Sequence, residues 1–120
     1  MIFKDMWVRG APLIGVTASF AFAKTMQLDS SNDMLNQTKS ILLSTRPTAV
    51  NLHWAVKKMF DFLIKTPFDH RAHEAFKKAN QILSDDIYSN HKIGEHGFKI
   101  IKDIVNPKKT NSINILTHCN

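Results

Sequence analysis

From residue 13 to residue 23 almost every side chain is apolar or small, and Thr17 and Ser19 are the mild polar breaks. Pro12 stands just before this run, where a first helical turn tolerates proline because the missing N–H would have no helical partner. The pattern predicts an α-helix over residues 12–27. Because a helix that is apolar on nearly every side must be covered by other elements, we expect it to be buried.

Two more helices follow from turn chemistry and periodicity. Polar residues 29–33 offer turn and capping groups before a short helix over residues 34–43. Pro47 ends that helix, since the residue before a proline is pushed out of the α region. Thr48 can then cap a third helix, predicted over residues 48–65, whose apolar residues recur at helical spacing.

The second half of the chain predicts one long helix and one strand. Asp69 can cap a fourth helix that reaches about residue 90, and helical periodicity continues over residues 91–105 past two glycines. Residues 106–111 are typical of a turn, and residues 113–117 include the β-branched side chains that are typical of a strand. A lone buried strand cannot satisfy its own backbone N–H and C=O groups, so its sheet must be supplied elsewhere.

The predicted fold is therefore mostly α-helical. Residues 1–106 form a helical domain, itself partial, and residues 107–120 supply the first strand of a nucleotide-fold sheet that is otherwise missing. The chain is expected to be a fragment of a larger α/β protein. Without the rest of the sheet, the first helix and the strand would leave an apolar patch larger than those of typical monomers, which favours aggregation or a partner.

The chain is basic, with 16 Lys+Arg against 10 Asp+Glu and a net charge of +6. The lysines are spread along the sequence without interleaved aromatic residues, which argues against a nucleic-acid partner and suits a phosphate-bearing small molecule. A single cysteine cannot form an intramolecular disulfide, so a reduced cytoplasm is expected. The apolar run at residues 11–23 resembles a signal peptide, but Asp5 and Pro12 suit that role poorly, and the run is shorter than the roughly 20 residues that span a bilayer.

Two arginines stand beside proline-set turns. Arg9 and Gly10 come just ahead of Pro12, where a helix N-terminus favours an anion and glycine lets a ligand approach the backbone. Arg46 precedes Pro47 in the same way. Two such arginines could clamp a phosphate if they converged, although an arginine at such a position is more often an ordinary surface residue.

Cys119 follows the predicted strand, at the position where α/β sheets place groups that contact ligands, although a single cysteine is more often a small buried hydrophobic residue. The six histidines are dispersed, and the spacing from His91 to His96 is one residue longer than the zinc-binding H-x-x-E-H pattern. No metal site is therefore expected. The sequence also lacks a Gly-rich phosphate loop and a nucleophile elbow.

Four segments together carry a resemblance to a known family. They are residues 4–18 with Val-Arg-Gly-Ala-Pro, residues 44–54 with Arg-Pro-Thr-Ala-Val-Asn-Leu, residues 93–97 with Ile-Gly-Glu-His-Gly, and residues 113–120 with Ile-Leu-Thr-His-Cys-Asn. The chain resembles the N-terminal part of methylthioribose-1-phosphate isomerases, which are related to the regulatory subunits of translation initiation factor 2B. The resemblance implies the helical N-terminal domain of an α/β isomerase, ending in the first strand of a Rossmann-like domain.

The same resemblance implies a reaction and its residues. The reaction is the aldose–ketose isomerisation of 5-methylthioribose 1-phosphate in methionine salvage, without a metal or organic cofactor. Arg9, Gly10, Ala11 and Arg46 would hold the phosphorylated sugar, and Cys119 would stabilise the transition state. In relatives the proton-donating aspartate lies further along the chain, and the complete proteins are homodimers. The 120 residues by themselves are expected to have negligible activity.

Three other interpretations remain open from the sequence. The chain could be a non-catalytic regulatory relative of the initiation factor 2B subunits, which acts through protein contacts. It could act on ribose 1,5-bisphosphate within the same fold. It could also be a small basic helical domain without a ligand, and that interpretation predicts a compact monomer.

Overall fold

The computed structural model describes residues 3, 5–108 and 112–118, except for the side chains of residues 106–108. Helix α1 spans Ala11–Leu28, α2 spans Asn32–Thr45, α3 spans Val50–Leu63 and α4 spans Arg71–Lys108. A short 3-10 turn, Phe68–His70, precedes α4. The mostly α-helical fold predicted from the sequence is confirmed.

Helix α1 supplies a large part of the core. Its buried residues lie on more than one side of the helix: Ile14, Gly15, Val16, Ala18, Ser19, Phe22, Ala23 and Met26. The hydroxyl groups of Thr17 and Ser19 donate to carbonyl oxygens one turn earlier, at 2.7 and 3.0 Å, so neither polar break is left unsatisfied. The predicted burial is confirmed for most of the helix, whereas Leu13 and Leu28 are exposed.

The core of the first three helices is closed by α3 and the beginning of α4. Most of the predicted apolar stripe of α3 is buried, with Leu52, Ala55, Val56, Met59 and Leu63 inside, whereas Phe60 is only partly buried. From α4, Ala75, Ala79 and Ile82 are buried in the same cluster. Helix α1 packs on both α2 and α3, and α2 packs on α3.

Contacts at two ends fix the direction of α1 relative to α3. A Cβ atom built on Gly15, one turn into α1, would lie only 3.0 Å from the carbonyl oxygen of Asn51, the second residue of α3. At the opposite end, the Arg71 guanidinium donates to the Ser30 carbonyl, just after α1, and to the Leu63 carbonyl, the last residue of α3. The two helices therefore run parallel with their N-termini at the same end, and α2, which connects them, runs in the opposite direction.

Several helix starts differ from the sequence prediction, and α2 begins at Asn32 rather than residue 34. Helix α3 begins at Val50 rather than residue 48, and its N-cap, Ala49, makes no side-chain hydrogen bond. Thr48 does not cap it, because a turn closed by the Ala49 N–H and the Arg46 carbonyl, at 3.1 Å, contains residue 48. Asp69 likewise lies within the 3-10 turn, so α4 starts two residues after it.

The predicted continuation of the fourth helix through residues 91–105 is confirmed, since α4 runs for 38 residues. The chain divides into two compact units, Met1–Asp86 and Ile87–Asn120. In the second unit, α4 exposes apolar side chains: Ile87, Tyr88, Ile93, Phe98, Ile100 and Ile104. No helix within the described residues is both long and apolar enough to cross a membrane.

The strand predicted over residues 113–117 is not formed. Residues 112–118 take neither a helical nor a strand conformation. A strand needs a partner for its backbone hydrogen bonds, and the described residues provide no second strand. The domain boundary predicted between residues 106 and 107 stays a prediction.

Candidate functional site

The first arginine-bearing turn leads directly into α1. Arg9, Gly10 and Ala11 are exposed to solvent. Gly10 is the N-cap of α1, with φ +93° and ψ 123°, and its carbonyl oxygen accepts the Ile14 N–H at 3.0 Å. Because L side chains rarely adopt this conformation, the turn depends on glycine at residue 10.

A matched pair of glycine substitutions tests this dependence. Gly10→Ala is expected to lower the free energy of unfolding by about 1–3 kcal/mol through backbone strain. Gly94→Ala is expected to raise it by about 0.5–1 kcal/mol, since alanine is the better residue inside a helix. A Cβ atom at either position meets nothing within 4 Å, so the two substitutions differ only in backbone conformation. Urea denaturation followed by circular dichroism would contradict this account if both changes had the same sign.

The second arginine-bearing turn leads into α3. Arg46 is half-buried and is the C-cap of α2, and its carbonyl oxygen accepts the Ala49 N–H. Pro47 follows it, at the second position of the turn, where its fixed φ angle is favourable. The turn therefore places Arg46 four residues before the first residue of α3.

The N-termini of α1 and α3 lack the groups that usually neutralise a helix start. Neither N-cap makes a side-chain hydrogen bond, and neither helix has an acidic residue in its first turn. In contrast, the Ser31 side chain of α2 accepts the Met34 N–H at 3.1 Å, and Asp33 lies in the first turn. Unpaired N–H groups and the helix dipole leave positive partial charge at the two uncapped starts.

Parallel packing places these two uncapped starts at one end of the first unit. Gly15 is four residues beyond Ala11, or about 6 Å along the axis of α1, and it packs against the start of α3 at Asn51. Arg9 and Arg46 each precede one of the two helices by a few residues. The predicted substrate residues Arg9, Gly10, Ala11 and Arg46 therefore belong to the same end, which we call the N-terminal end of the α1–α3 pair.

The other predictions about functional residues concern other parts of the sequence. Cys119, the predicted catalytic residue, lies outside the described residues. Among the residues that the structure describes, no three His, Cys, Asp or Glu side chains group as metal ligands. An open pocket of about 220 Å³ is lined by Phe62, Glu74, Lys77, Lys78 and Gln81, so it contains none of the predicted site residues.

Sequence reasoning missed Arg71, which is only 6% exposed. Its Nε donates to the Leu63 and Thr66 carbonyls at 3.0 and 3.1 Å, and its Nη1 donates to the Ser30 carbonyl at 2.7 Å. These carbonyls lie at the C-terminal ends of α1 and α3, away from the N-terminal end of the pair. Arg71 is therefore a structural residue that holds the two helices side by side.

Comparison with known proteins identifies a matching family and several similar proteins. Residues 7–120 match the model of the initiation factor 2 subunit family. The chain is 45% identical over 117 residues to a methylthioribose-1-phosphate isomerase of Cereibacter sphaeroides, in an alignment that covers 98% of this chain and 32% of that protein. It is 48% identical over 122 residues to a methylthioribose-1-phosphate isomerase of Rhodospirillum rubrum. That alignment covers 98% of this chain and 31% of that protein.

A third similar protein is a methylthioribose-1-phosphate isomerase of Rhizobium meliloti, 46% identical over 121 residues, with 100% of this chain and 33% of that protein covered. The chain thus spans about a third of the length of the curated isomerases it matches. No solved structure matches it.

Proposed function

Because the chain belongs to the initiation factor 2 subunit family, we propose that its helices form the substrate-holding part of an aldose–ketose isomerase. The reaction interconverts 5-methylthioribose 1-phosphate and 5-methylthioribulose 1-phosphate, a step of methionine salvage. The observation that carries the proposal is the presence of both arginine-bearing turns at the N-terminal end of the α1–α3 pair. It is supported by relatives named methylthioribose-1-phosphate isomerase that align with 98–100% of the chain.

In this proposal the N-terminal end of the pair holds the phosphate on C1 of the sugar. The backbone N–H groups at Gly10 and Ala11 and the dipole of α1 favour the anion. Arg9 and Arg46 add guanidinium groups, which bind phosphate oxygens in a bidentate manner. The exposed, side-chain-free backbone at Gly10 lets the phosphate approach closely.

The chemical step needs groups besides the phosphate site. The sugar ring must open before a hydrogen can move between C1 and C2, and ring opening requires an acid at the ring oxygen. We assign Cys119 the stabilisation of the transition state, and the acid to the aspartate that the family resemblance places further along complete proteins. General acid–base steps of this kind contribute about 10² to 10⁴ in rate, so binding does not imply turnover by these 120 residues.

We also propose the binding partners of the protein and its location in the cell. The partner is a phosphorylated sugar, with no nucleic acid and no membrane, and the chemistry uses no metal or organic cofactor. The protein acts in the cytoplasm, and the complete enzyme is a homodimer. The net charge of +6 supports an anionic substrate.

Binding of the substrate to the 120-residue chain tests the phosphate site. Arg9→Ala and Arg46→Ala are each expected to raise the dissociation constant of 5-methylthioribose 1-phosphate by roughly tenfold to a hundredfold, because a hydrogen bond to a charged group contributes about 1.5–3 kcal/mol. Isothermal titration calorimetry measures the change directly.

The matched control for these variants is Lys24→Ala. Lys24 is an exposed residue near the C-terminal end of α1 that hydrogen-bonds Gln27 at 3.2 Å. Its substitution removes the same charge at the opposite end of the helix, so affinity should stay near that of the original chain. Equal affinities for the Arg9, Arg46 and Lys24 variants would contradict the proposed site.

A further inference from the structure

Both tryptophans of the chain are exposed, and each lies four residues from the first residue of α1 or α3. Trp7 is 79% exposed and lies four residues before the start of α1. Trp54 is 50% exposed and lies four residues after the start of α3. Tryptophan is highly buried on average in folded proteins, and an indole at a surface commonly marks a contact with a ligand or partner.

The helix geometry relates Trp54 to the proposed phosphate site. Asn51 is the residue of α3 that approaches Gly15 of α1, and Ala55 lies beside it on the same face. Trp54 precedes Ala55 by one residue, or about 100° around the helix, so it flanks the face that meets α1. It also lies only about 6 Å along the axis from the first residue of α3.

One face of the Trp54 indole is already covered. The Lys58 Nζ atom lies 4.7 Å from the centre of the ring, in the arrangement of a cation–π contact. This contact covers one face of the ring and leaves the remainder of its surface for another group. Trp7 offers a second indole two residues before Arg9.

The proposed substrate has one anionic end and one apolar end. Its phosphate is on C1, and its methylthio group, which is apolar, is on C5 at the other end of the sugar. A site for this molecule therefore needs an apolar surface one sugar length from an anion-binding surface. Thioether sulfur makes favourable contacts with aromatic rings, so an indole suits the methylthio group better than an aliphatic side chain.

We infer that Trp7 and Trp54 form an apolar wall that contacts the methylthio group and selects it against a hydroxyl at the same carbon. The inference rests on the proposed function, because the arginines must hold the phosphate for the sugar to reach the indoles. Trp7 and Trp54 are specificity-determining residues in this account, and Arg9 and Arg46 bind both kinds of sugar phosphate equally.

The test compares two ligands, 5-methylthioribose 1-phosphate and ribose 1-phosphate, which carries a hydroxyl on C5. The original chain is expected to prefer the methylthio compound by about tenfold or more, as apolar pockets do for a small apolar group. Trp7→Ala and Trp54→Ala should each lose much of this preference by weakening the methylthio compound alone. Because the chain has two tryptophans, indole fluorescence should also change more with the methylthio compound than with ribose 1-phosphate.

The control is Phe68→Ala, which removes an exposed aromatic ring from the turn between α3 and α4 and should leave the preference unchanged. Equal binding of both ligands by the original chain, or an unaltered preference in both tryptophan variants, would overturn the inference while leaving the phosphate site intact. Failure of the original chain to bind either ligand would instead overturn the proposed function, and this inference with it. Circular dichroism of each variant separates lost binding from lost folding.

Discussion

A chain in which Arg71 is replaced by methionine is expected to lose on the order of 3 kcal/mol of its free energy of unfolding. The guanidinium donates to three carbonyls: its Nε–H is shared between those of Leu63 and Thr66, and its Nη1 donates to that of Ser30. Hydrogen bonds from charged groups contribute about 1.5–3 kcal/mol each, and removing the donor leaves carbonyls unsatisfied in a site that is only 6% exposed. The three contributions are not additive, which is why the expected loss is below their sum.

Urea denaturation followed by circular dichroism measures this loss. Arg9→Met is the matched control, because it makes the same chemical change at an exposed residue and should alter stability by roughly 0.5 kcal/mol or less. Arg71→Lys should be intermediate, since a lysine keeps the charge but cannot present the planar fork that reaches acceptors at the C-terminal ends of α1 and α3. Equal stabilities of the Arg71→Met and Arg9→Met chains would contradict the structural role of Arg71.

The helices could be predicted from the sequence because their signals are local. Pro12 and the small and apolar residues after it gave α1 to within a residue at each end. The apolar stripe from Leu52 to Leu63 predicted the buried face of α3. The errors at Thr48 and Asp69 arose because a turn and a 3-10 segment use residues that could equally have capped a helix.

The arrangement of the helices could not be predicted, because its signals are not local. Ser30 and Arg71 are 41 residues apart in sequence and joined by one hydrogen bond. Gly15 gives no sign in the sequence that its missing side chain makes room for the Asn51 carbonyl. These two features decide that α1 and α3 are parallel, and hence that Arg9 and Arg46 belong to the same end. The strand at residues 113–117 was predicted from composition, which carries no information about a pairing partner.

The 120-residue chain alone is expected to show no measurable isomerisation of 5-methylthioribose 1-phosphate, because the acid step that contributes about 10² to 10⁴ in rate depends on an aspartate that the resemblance places beyond this sequence. Joining residues 1–120 to the part of the Rhodospirillum rubrum isomerase that follows its matched segment should restore turnover. At 48% identity over the matched segment, the two parts are expected to share their packing.

The most direct measurement is therefore ketose formation by this joined protein, with the intact Rhodospirillum rubrum isomerase as the positive control. The account predicts turnover that falls strongly in Arg46→Ala and in Cys119→Ser and is unchanged in Lys24→Ala. A joined protein that folds, as judged by circular dichroism, and yet forms no ketose would contradict the claim that these helices are the substrate-holding part of an isomerase. Turnover equal in the Arg46→Ala and Lys24→Ala proteins would contradict the phosphate site at the N-terminal end of the α1–α3 pair.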